Sequence, residues 1–303
     1  MFEVIEEQTE LPGYLFRPNR LGPSPGLVFL HGSGGGSNNF WTDPNGPPRP
    51  TGKEAIVVRQ AMAFARKGYA TLALSYFDSP CSKNQLVSPP DELVRVDIKK
   101  ITERALAHVR ALEFVDERSV GVCGASRGAE HALVFASLVQ KGAPGAPDYV
   151  VSFSPIAYIC GGISKEMAQI FSRGEQYSGP DLPSWVYDGV ELKIGEHIDF
   201  KQIDVPFLIT AFDEDPVWQT QNDIETIKAC LMDQGVDFEY CDLSLSIEDK
   251  RALFIKRGQN LLVRMAGEGH CFPMPHIHPD LMEGLRKLAY DFADVHSKTA
   301  RSD

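Results

Sequence analysis

Several things are scarce or missing in this chain of 303 residues, and each absence excludes a class of protein. The start, Met1-Phe2-Glu3-Val4-Ile5-Glu6-Glu7, lacks both a basic opening and an apolar run, so it does not read as a secretory signal. No hydrophobic run reaches bilayer length, because the most apolar long stretch, 149–163, is interrupted by Pro155. No C-x-x-C pair occurs among the cysteines at 81, 123, 160, 230, 241 and 271. That argues against a disulfide scaffold and for reduced thiols in a cytoplasmic protein. Positive charge is short: 30 Lys and Arg against 41 Asp and Glu give a net charge of −11, with no basic stripe. Neither nucleic acid nor an anionic membrane is therefore an expected partner. Glycine-rich segments exist, but none carries the Gly-Lys-Ser/Thr of a phosphate loop or a G-x-G-x-x-G before a helix, so no nucleotide cofactor is expected. The pair His276 and His278 has no carboxylate at ligand spacing and lies between Pro275 and Pro279, which reads as a loop rather than a metal site. Repeats and low-complexity segments are also absent, and the tail Ala300-Arg301-Ser302-Asp303 is not a peroxisomal address.

What is present is an alternation of two periodicities from end to end. With 43% apolar residues the chain can bury one large core, and the pattern predicts a single α/β domain over 1–303 with a mostly parallel central sheet flanked by helices. Strands are expected near 2–6, 13–18, 26–31, 69–75, 119–124, 148–153, 205–211 and 260–265. Helices are expected over about 51–67, 90–112, 127–141, 219–234 and 279–297, the first opened by a capping box of Thr51 and Glu54. Residues 155–204 are too long for a simple connection and too aperiodic for a second domain, so they are expected to form a cap over the strand ends. Met167, Ile170, Phe171, Tyr177, Trp185 and Tyr187 would either line an apolar pocket there or pack the cap onto the sheet.

The chemistry concentrates at strand ends. Ser119-Val120-Gly121-Val122-Cys123-Gly124-Ala125-Ser126-Arg127-Gly128 reads as a buried strand, a glycine-pinched turn and the start of a helix. Such a turn lifts a serine hydroxyl clear for attack, and the glycines two before and two after it are needed where the helix comes hard against a strand. Upstream, the strand Gly26 to Leu30 ends in His31-Gly32-Ser33-Gly34-Gly35-Gly36. A loop free of side chains lets main-chain amides approach a developing oxyanion, and the expected donors are the amides of Arg127 and Ser33, with Gly34 as the alternative to Ser33. The strand from Val205 runs into Asp213-Glu214-Asp215-Pro216, and the last strand ends in Gly267-Glu268-Gly269-His270. This is the chain order Ser, acid, His of the α/β-hydrolase fold, with Ser126 as nucleophile and His270 as base. Asp215 is the favoured acid because the following proline fixes its loop. Asp213 is its rival, and Glu214 should point away from its neighbours.

These motifs carry a resemblance. Ala73-Leu74-Ser75-Tyr76-Phe77, the stretch from Val120 to Gly128, the stretch from Ser154 to Gly162, Asp215 with Trp218, and Gly269-His270 together resemble the C-terminal catalytic domain of the acyl-CoA thioesterase and bile acid-CoA:amino acid N-acyltransferase family, near the dienelactone hydrolases. The resemblance implies an α/β-hydrolase with a cap insertion that cleaves a carboxylic ester or an acyl thioester such as that of coenzyme A, through an acyl-enzyme, without a metal or cofactor. Two departures shape the expectation. Residues 1–25 leave no room for the N-terminal sandwich of larger members, and position 126 is serine where the amino acid transferases carry cysteine, which implies water as acyl acceptor. Transfer to an amine, or a non-catalytic ligand-binding role, are the alternatives. The cluster Arg95, Lys99, Lys100 and Arg104 would serve a coenzyme A nucleotide, although its spacing more simply describes a solvated helix face.

Overall fold

Short runs of β-branched and aromatic residues between glycines and prolines make the strands of this chain. The computed structural model describes residues 1–7, 9–11, 13–32, 56–76, 96–140, 142–162, 170, 183–215, 223–243, 258–273 and 279–299. The strands are β1 (Val4–Glu7), β2 (Gly13–Pro18), β3 (Ser24–Leu30), β4 (Ala70–Leu74), β5 (Val96–Asp97), β6 (Val115–Ala125), β7 (Val150–Phe153), β8 (Trp185–Tyr187), β9 (Val190–Glu191), β10 (Phe207–Glu214), β11 (Glu239–Leu243), β12 (Leu261–His270) and β13 (Phe272–Pro273). The helices are α1 (Ile56–Arg66), α2 (Ile98–Arg110), α3 (Arg127–Leu138), α4 (Asp223–Asp233) and α5 (Pro279–Thr299).

Among the described residues the main sheet has the order β1-β2-β4-β3-β6-β7-β10-β12-β11, with β13 folded back on β12, while β5, β8 and β9 form a smaller sheet. From β4 across to β11 every pairing is parallel; β2 and β13 run against it, and β1, antiparallel to β2, runs with it. A parallel sheet needs helices on both faces, and its strands then lose the in-out alternation of polarity. β3 and β4 are accordingly buried at every residue. Alternation persists instead as a choice between two cores. Val120, Val122 and Ile209 meet Leu106, Leu133 and Ile227 from α2, α3 and α4, whereas the intervening Cys123 and Leu208 join Val57, Ala61 and Phe292 from α1 and α5. Each buried aliphatic contributes about 1.5–3 kcal/mol.

The expected elements are present, with shifted ends. The first helix is described from Ile56, so Thr51 and Glu54 lie outside the described residues. The second begins at Ile98 rather than near 90, because Asp97 caps it by accepting a hydrogen bond from the Lys100 amide at 3.2 Å. The larger corrections concern two strands. β10 continues through Glu214 and β12 through His270, where loops are expected from sequence. Phe212 pairs with Met265 and Glu214 with Glu268, so β12 holds one extra residue between these partners. Gly267, at φ +93°, lets the strand bulge there without breaking the ladder. β5, β8, β9 and β13 are too short to show a period, and β11 is a polar edge strand.

Within 155–204 the described parts fold against the sheet ends. Ile159 donates to the Glu196 carbonyl at 2.8 Å and Ile198 to that of Ala157 at 2.9 Å, which ties the two ends of the segment together. Ile198, Phe200 and Trp185 join the core on the α3 side. Of the residues expected to line a pocket, Met167, Phe171 and Tyr177 lie outside the described residues; Trp185 is wholly buried and Tyr187 partly so.

Candidate active site

The carboxyl ends of β3, β6, β7, β10 and β12 lie side by side at one edge of the sheet, as their order and register require. At the end of β6, Ser126 has φ +55° and ψ −119°. A residue with a Cβ adopts such a backbone at a cost of about 1–3 kcal/mol, so the surroundings must impose it. They do. The Ser126 amide donates to the Phe153 carbonyl at 2.9 Å, while its carbonyl accepts from Ala129 and Glu130 and starts α3. The two glycines act as the sequence reading requires. A Cβ on Gly124 would collide with the backbone of Gly128, and one on Gly128 with the carbonyls of Leu30 and His31. Gly32 lies against the serine, where a Cβ would come within 3.2 Å of the Ser126 Cβ. Arg127 is the first helical residue, so its amide has no acceptor inside the helix and is available to a ligand at Ser126. Ser33 and Gly34 lie outside the described residues.

His270 and Asp215 are brought together. Nδ1 of the imidazole is 2.7 Å from Oδ2 of Asp215 and 2.9 Å from Oδ1. Asp213, two residues away, belongs to a different pair: its carboxylate is gripped on both oxygens by the Arg264 guanidinium from β12. Glu214, between them, is exposed. The glycine before His270 has a packing reason rather than one of free rotation, since any Cβ on Gly269 would run into the Phe212 ring. After His270 the chain turns sharply at Cys271, φ +59°, into β13. Burial works against the charged imidazole, but the Cys271 sulfur and the Asp215 carboxylate beside it outweigh burial, and the net effect raises the His270 pKa above its usual 6.5.

Ser154 joins the two halves. It follows β7, is buried, has φ +50°, and its hydroxyl accepts the Cys271 amide at 2.9 Å. Because the Phe153 carbonyl holds the Ser126 amide, two adjacent residues at the end of β7 fix both the serine turn and the residue after His270. Sequence reading did not single out Ser154 by itself. Its only signal was its place inside Ser154 to Gly162.

Beneath the serine turn lies a column of buried rings from four segments. His31 stacks on Tyr76 with centroids 4.1 Å apart, Tyr76 meets His131 edge-on at 4.6 Å, and His131 lies 5.1 Å from Trp185. The Tyr76 hydroxyl donates to the His31 carbonyl at 2.5 Å, and His31 Nδ1 is 2.8 Å from the Gly32 carbonyl, which fixes the backbone entering the glycine-rich loop. His131 Nε2 is bonded to the Thr102 hydroxyl at 2.6 Å. Burial lowers the pKa of His31 to about 4 and that of His131 to about 3, against a smaller opposing pull from the Gly32 carbonyl on His31. Both rings are therefore neutral at pH 7.

No potential metal-holding group of three or more His, Cys, Asp or Glu occurs among the described residues, and His276 and His278 lie outside them. The described cysteines are all free thiols. No described helix is long and apolar enough to cross a membrane. Lys99 pairs with Asp188 and Lys100 with Asp97, while Arg104 is exposed on α2 and Arg95 lies outside the described residues.

No family model matches the chain, and no curated protein matches it by sequence. Solved structures do resemble it. A Klebsiella pneumoniae protein assigned as a dienelactone hydrolase superposes with a TM-score of 0.57 at 14% identity, over 96% of this chain and 99% of that one. The α/β hydrolase GrgF from a Penicillium species gives 0.55 at 15% identity over 98% and 99%, and a bacterial heroin esterase 0.54 at 15% over 97% and 84%. Together with the mostly parallel sheet, these likenesses define the chain as a protein of the α/β-hydrolase fold.

Proposed function

We propose that the chain is a serine hydrolase that cleaves a carboxylic ester or an acyl thioester through an acyl-enzyme. The observation that carries this reading is the 2.7 Å bond between His270 and Asp215 at the same sheet edge as Ser126, whose backbone is strained. The names of the structural neighbours, a dienelactone hydrolase and a heroin esterase, support ester chemistry for the fold at this edge.

In this reading Ser126 Oγ attacks the acyl carbonyl while His270 Nε2 takes its proton, and Asp215 on Nδ1 holds the ring in the tautomer that leaves Nε2 free. The negative charge formed on the carbonyl oxygen is met by the Arg127 amide and an amide of the glycine-rich loop at Ser33. Such donors contribute about 3–4 kcal/mol each to the barrier reduction. His270 then returns the proton to the departing alcohol or thiol. Water, activated by the same imidazole, releases the acid. Serine at 126 and free solvent as acceptor favour hydrolysis over transfer to an amine. The paired states of Lys99 and Lys100 leave little local positive charge for a coenzyme A nucleotide, so simple esters rank first as substrates. The resemblance to the acyl-CoA thioesterases keeps thioesters in the class.

The test is a fluorophosphonate probe followed by peptide mapping, beside a panel of p-nitrophenyl esters and acyl-CoAs of graded length. Labelling at Ser126 with ester turnover is expected. An unlabelled Ser126, or a turnover that survives Ser126→Ala, would overturn the reading.

A further inference from the structure

An acid on the hydrophobic stretch of α3 has no obvious place. Glu130 stands one turn after Ser126 in Arg127-Gly128-Ala129-Glu130-His131-Ala132-Leu133-Val134-Phe135, and it is wholly buried. A carboxylate is kept in such a place only if its partners are worth its desolvation. Its Oε1 accepts the indole N–H of Trp185 at 2.6 Å and the main-chain N–H of Cys160 at 2.8 Å. Its Oε2 faces the Arg127 guanidinium at 3.7 Å, and both side chains are sealed from solvent, at 0% and 4% exposure. The guanidinium in turn lies 4.6 Å over the Trp185 ring and reaches the Cys160 carbonyl at 3.5 Å. Two residues of the serine-bearing helix thus hold two points of the 155–204 segment, 25 residues apart in sequence, through one buried ion pair.

We infer that Glu130 is a positioning residue that clamps the Cys160 and Trp185 parts of 155–204 onto the helix of Ser126. The Arg127 amide, the Ser126 turn and the wall over them are then placed as one body. The arrangement makes this stretch of 155–204 a fixed wall rather than an opening lid. Arg127 carries the coupling, because its amide faces the site and its side chain is the far end of the clamp. This inference rests on the reading of Ser126 as nucleophile for its effect on rate, though not for the clamp itself.

Two variants and two readouts test it. Glu130→Gln keeps an acceptor for both N–H groups and removes the charge opposite Arg127; Trp185→Phe keeps the ring under Arg127 and removes one donor. In folded Glu130→Gln, well below its unfolding temperature, the rate of fluorophosphonate labelling at Ser126 should fall about tenfold or more, as sub-ångström misplacement of reacting groups does. The kcat for p-nitrophenyl acetate should fall with it while KM holds. Trp185→Phe should show a smaller loss of about two- to fivefold. In both, amide hydrogen exchange should accelerate over 156–162 and 184–187. If Glu130→Gln does not fold, the Trp185→Phe rate and exchange decide alone. Labelling rates within twofold of the parent chain in the folded variants would reduce Glu130 to a structural group and overturn the inference. Should the parent chain itself fail to label, the hydrolase reading falls, and exchange decides the clamp: unchanged exchange in the variants overturns it.

Discussion

Three histidines border the serine turn, and the molecule treats them in two opposite ways. His31 and His131 sit in the ring column below it, wholly buried among Tyr76, Trp185 and Thr102, with pKa values lowered to about 4 and about 3. His270 ends β12 at the sheet edge, its side chain 17% exposed, and is shifted upward. Burial pushes all three toward the neutral form. What separates them is the pair of groups beside His270, the Cys271 sulfur and the Asp215 carboxylate. Asp215 lies on the His270 ring, whereas the nearest acid to His131 in the chain, Glu130, is already committed to Arg127, Trp185 and Cys160. One histidine is equipped to take up a proton and hold it, and the other two are built to stay neutral and pack.

The largest expected effect breaks the contrast at its active end. Ser126→Ala and His270→Ala should each lower kcat by a factor on the order of 10⁴–10⁶, and the double variant should be little worse, because members of such a unit do not lose activity additively. Steady-state kinetics on the best ester of the panel reads this directly. A double variant that multiplies the two single losses would mean that Ser126 and His270 act independently.

Next comes the choice between two acids that leave the same strand. Asp215→Asn should cost about 10³–10⁴ in kcat by disturbing the tautomer and orientation of His270, with KM changing little. Asp213→Asn removes a half-exposed pairing with Arg264 and should change kcat by less than about tenfold. The reverse ranking would move the role to Asp213 and contradict the geometry at His270.

Sequence made the serine turn readable because steric necessity writes itself into residue type: only glycine fits where Gly124 and Gly128 touch neighbouring backbone. His270 was readable from its position after the last apolar strand, but for a reason that needed correction. Gly267 permits a bulge and Gly269 makes room for the Phe212 ring, so the strand continues where a free loop was expected. The ring column and the Glu130 clamp were invisible for a different reason. They join residues from 31, 76, 102, 127–131, 160 and 185, and no local period or spacing records a contact between elements so far apart in the chain. The one available hint was a charged residue inside an apolar helical stretch.

A middle-sized effect sets the two groups of histidines against each other on the pH axis. Protonated His270 cannot accept the serine proton, so turnover should disappear as pH falls through its folded-state pKa, and the raised value places that limb above 6.5. Its contribution to stability has the opposite sense: full below 6.5 and lost as pH rises through the folded value. His31 and His131 behave the other way, because the unfolded chain takes up their protons first. Their contribution is intact above 6.5 and lost as pH falls from 6.5 toward about 4, at a slope of at most about 1.4 kcal/mol per pH unit for each. Denaturant midpoints measured from pH 6.5 to 4.5 should therefore fall with acid, and His131→Gln should flatten the slope while leaving the pH limb of kcat in place. A limb that moves with His131 instead would erase the distinction between the two groups.

The smallest expected effect concerns the charged face of α2. α2 carries Lys99, Lys100 and Arg104, the described members of the cluster that a coenzyme A nucleotide would need. Lys99 is engaged by Asp188 at 2.9 Å and Lys100 by Asp97 at 3.3 Å, while Arg104 is exposed. Partners of this kind neutralise a polyanion site before any ligand arrives, and exposed ion pairs contribute only about 0–1 kcal/mol in any case. The chain as a whole, at −11, repels a nucleotide phosphate at a distance. Lys100→Ala with Arg104→Ala should therefore leave kcat/KM unchanged within about twofold for an acyl-CoA and for the matching simple thioester alike, with little salt dependence in either. A selective loss on the acyl-CoA, larger at low salt, would instead mark this face as a nucleotide site and move thioesters of coenzyme A ahead of simple esters.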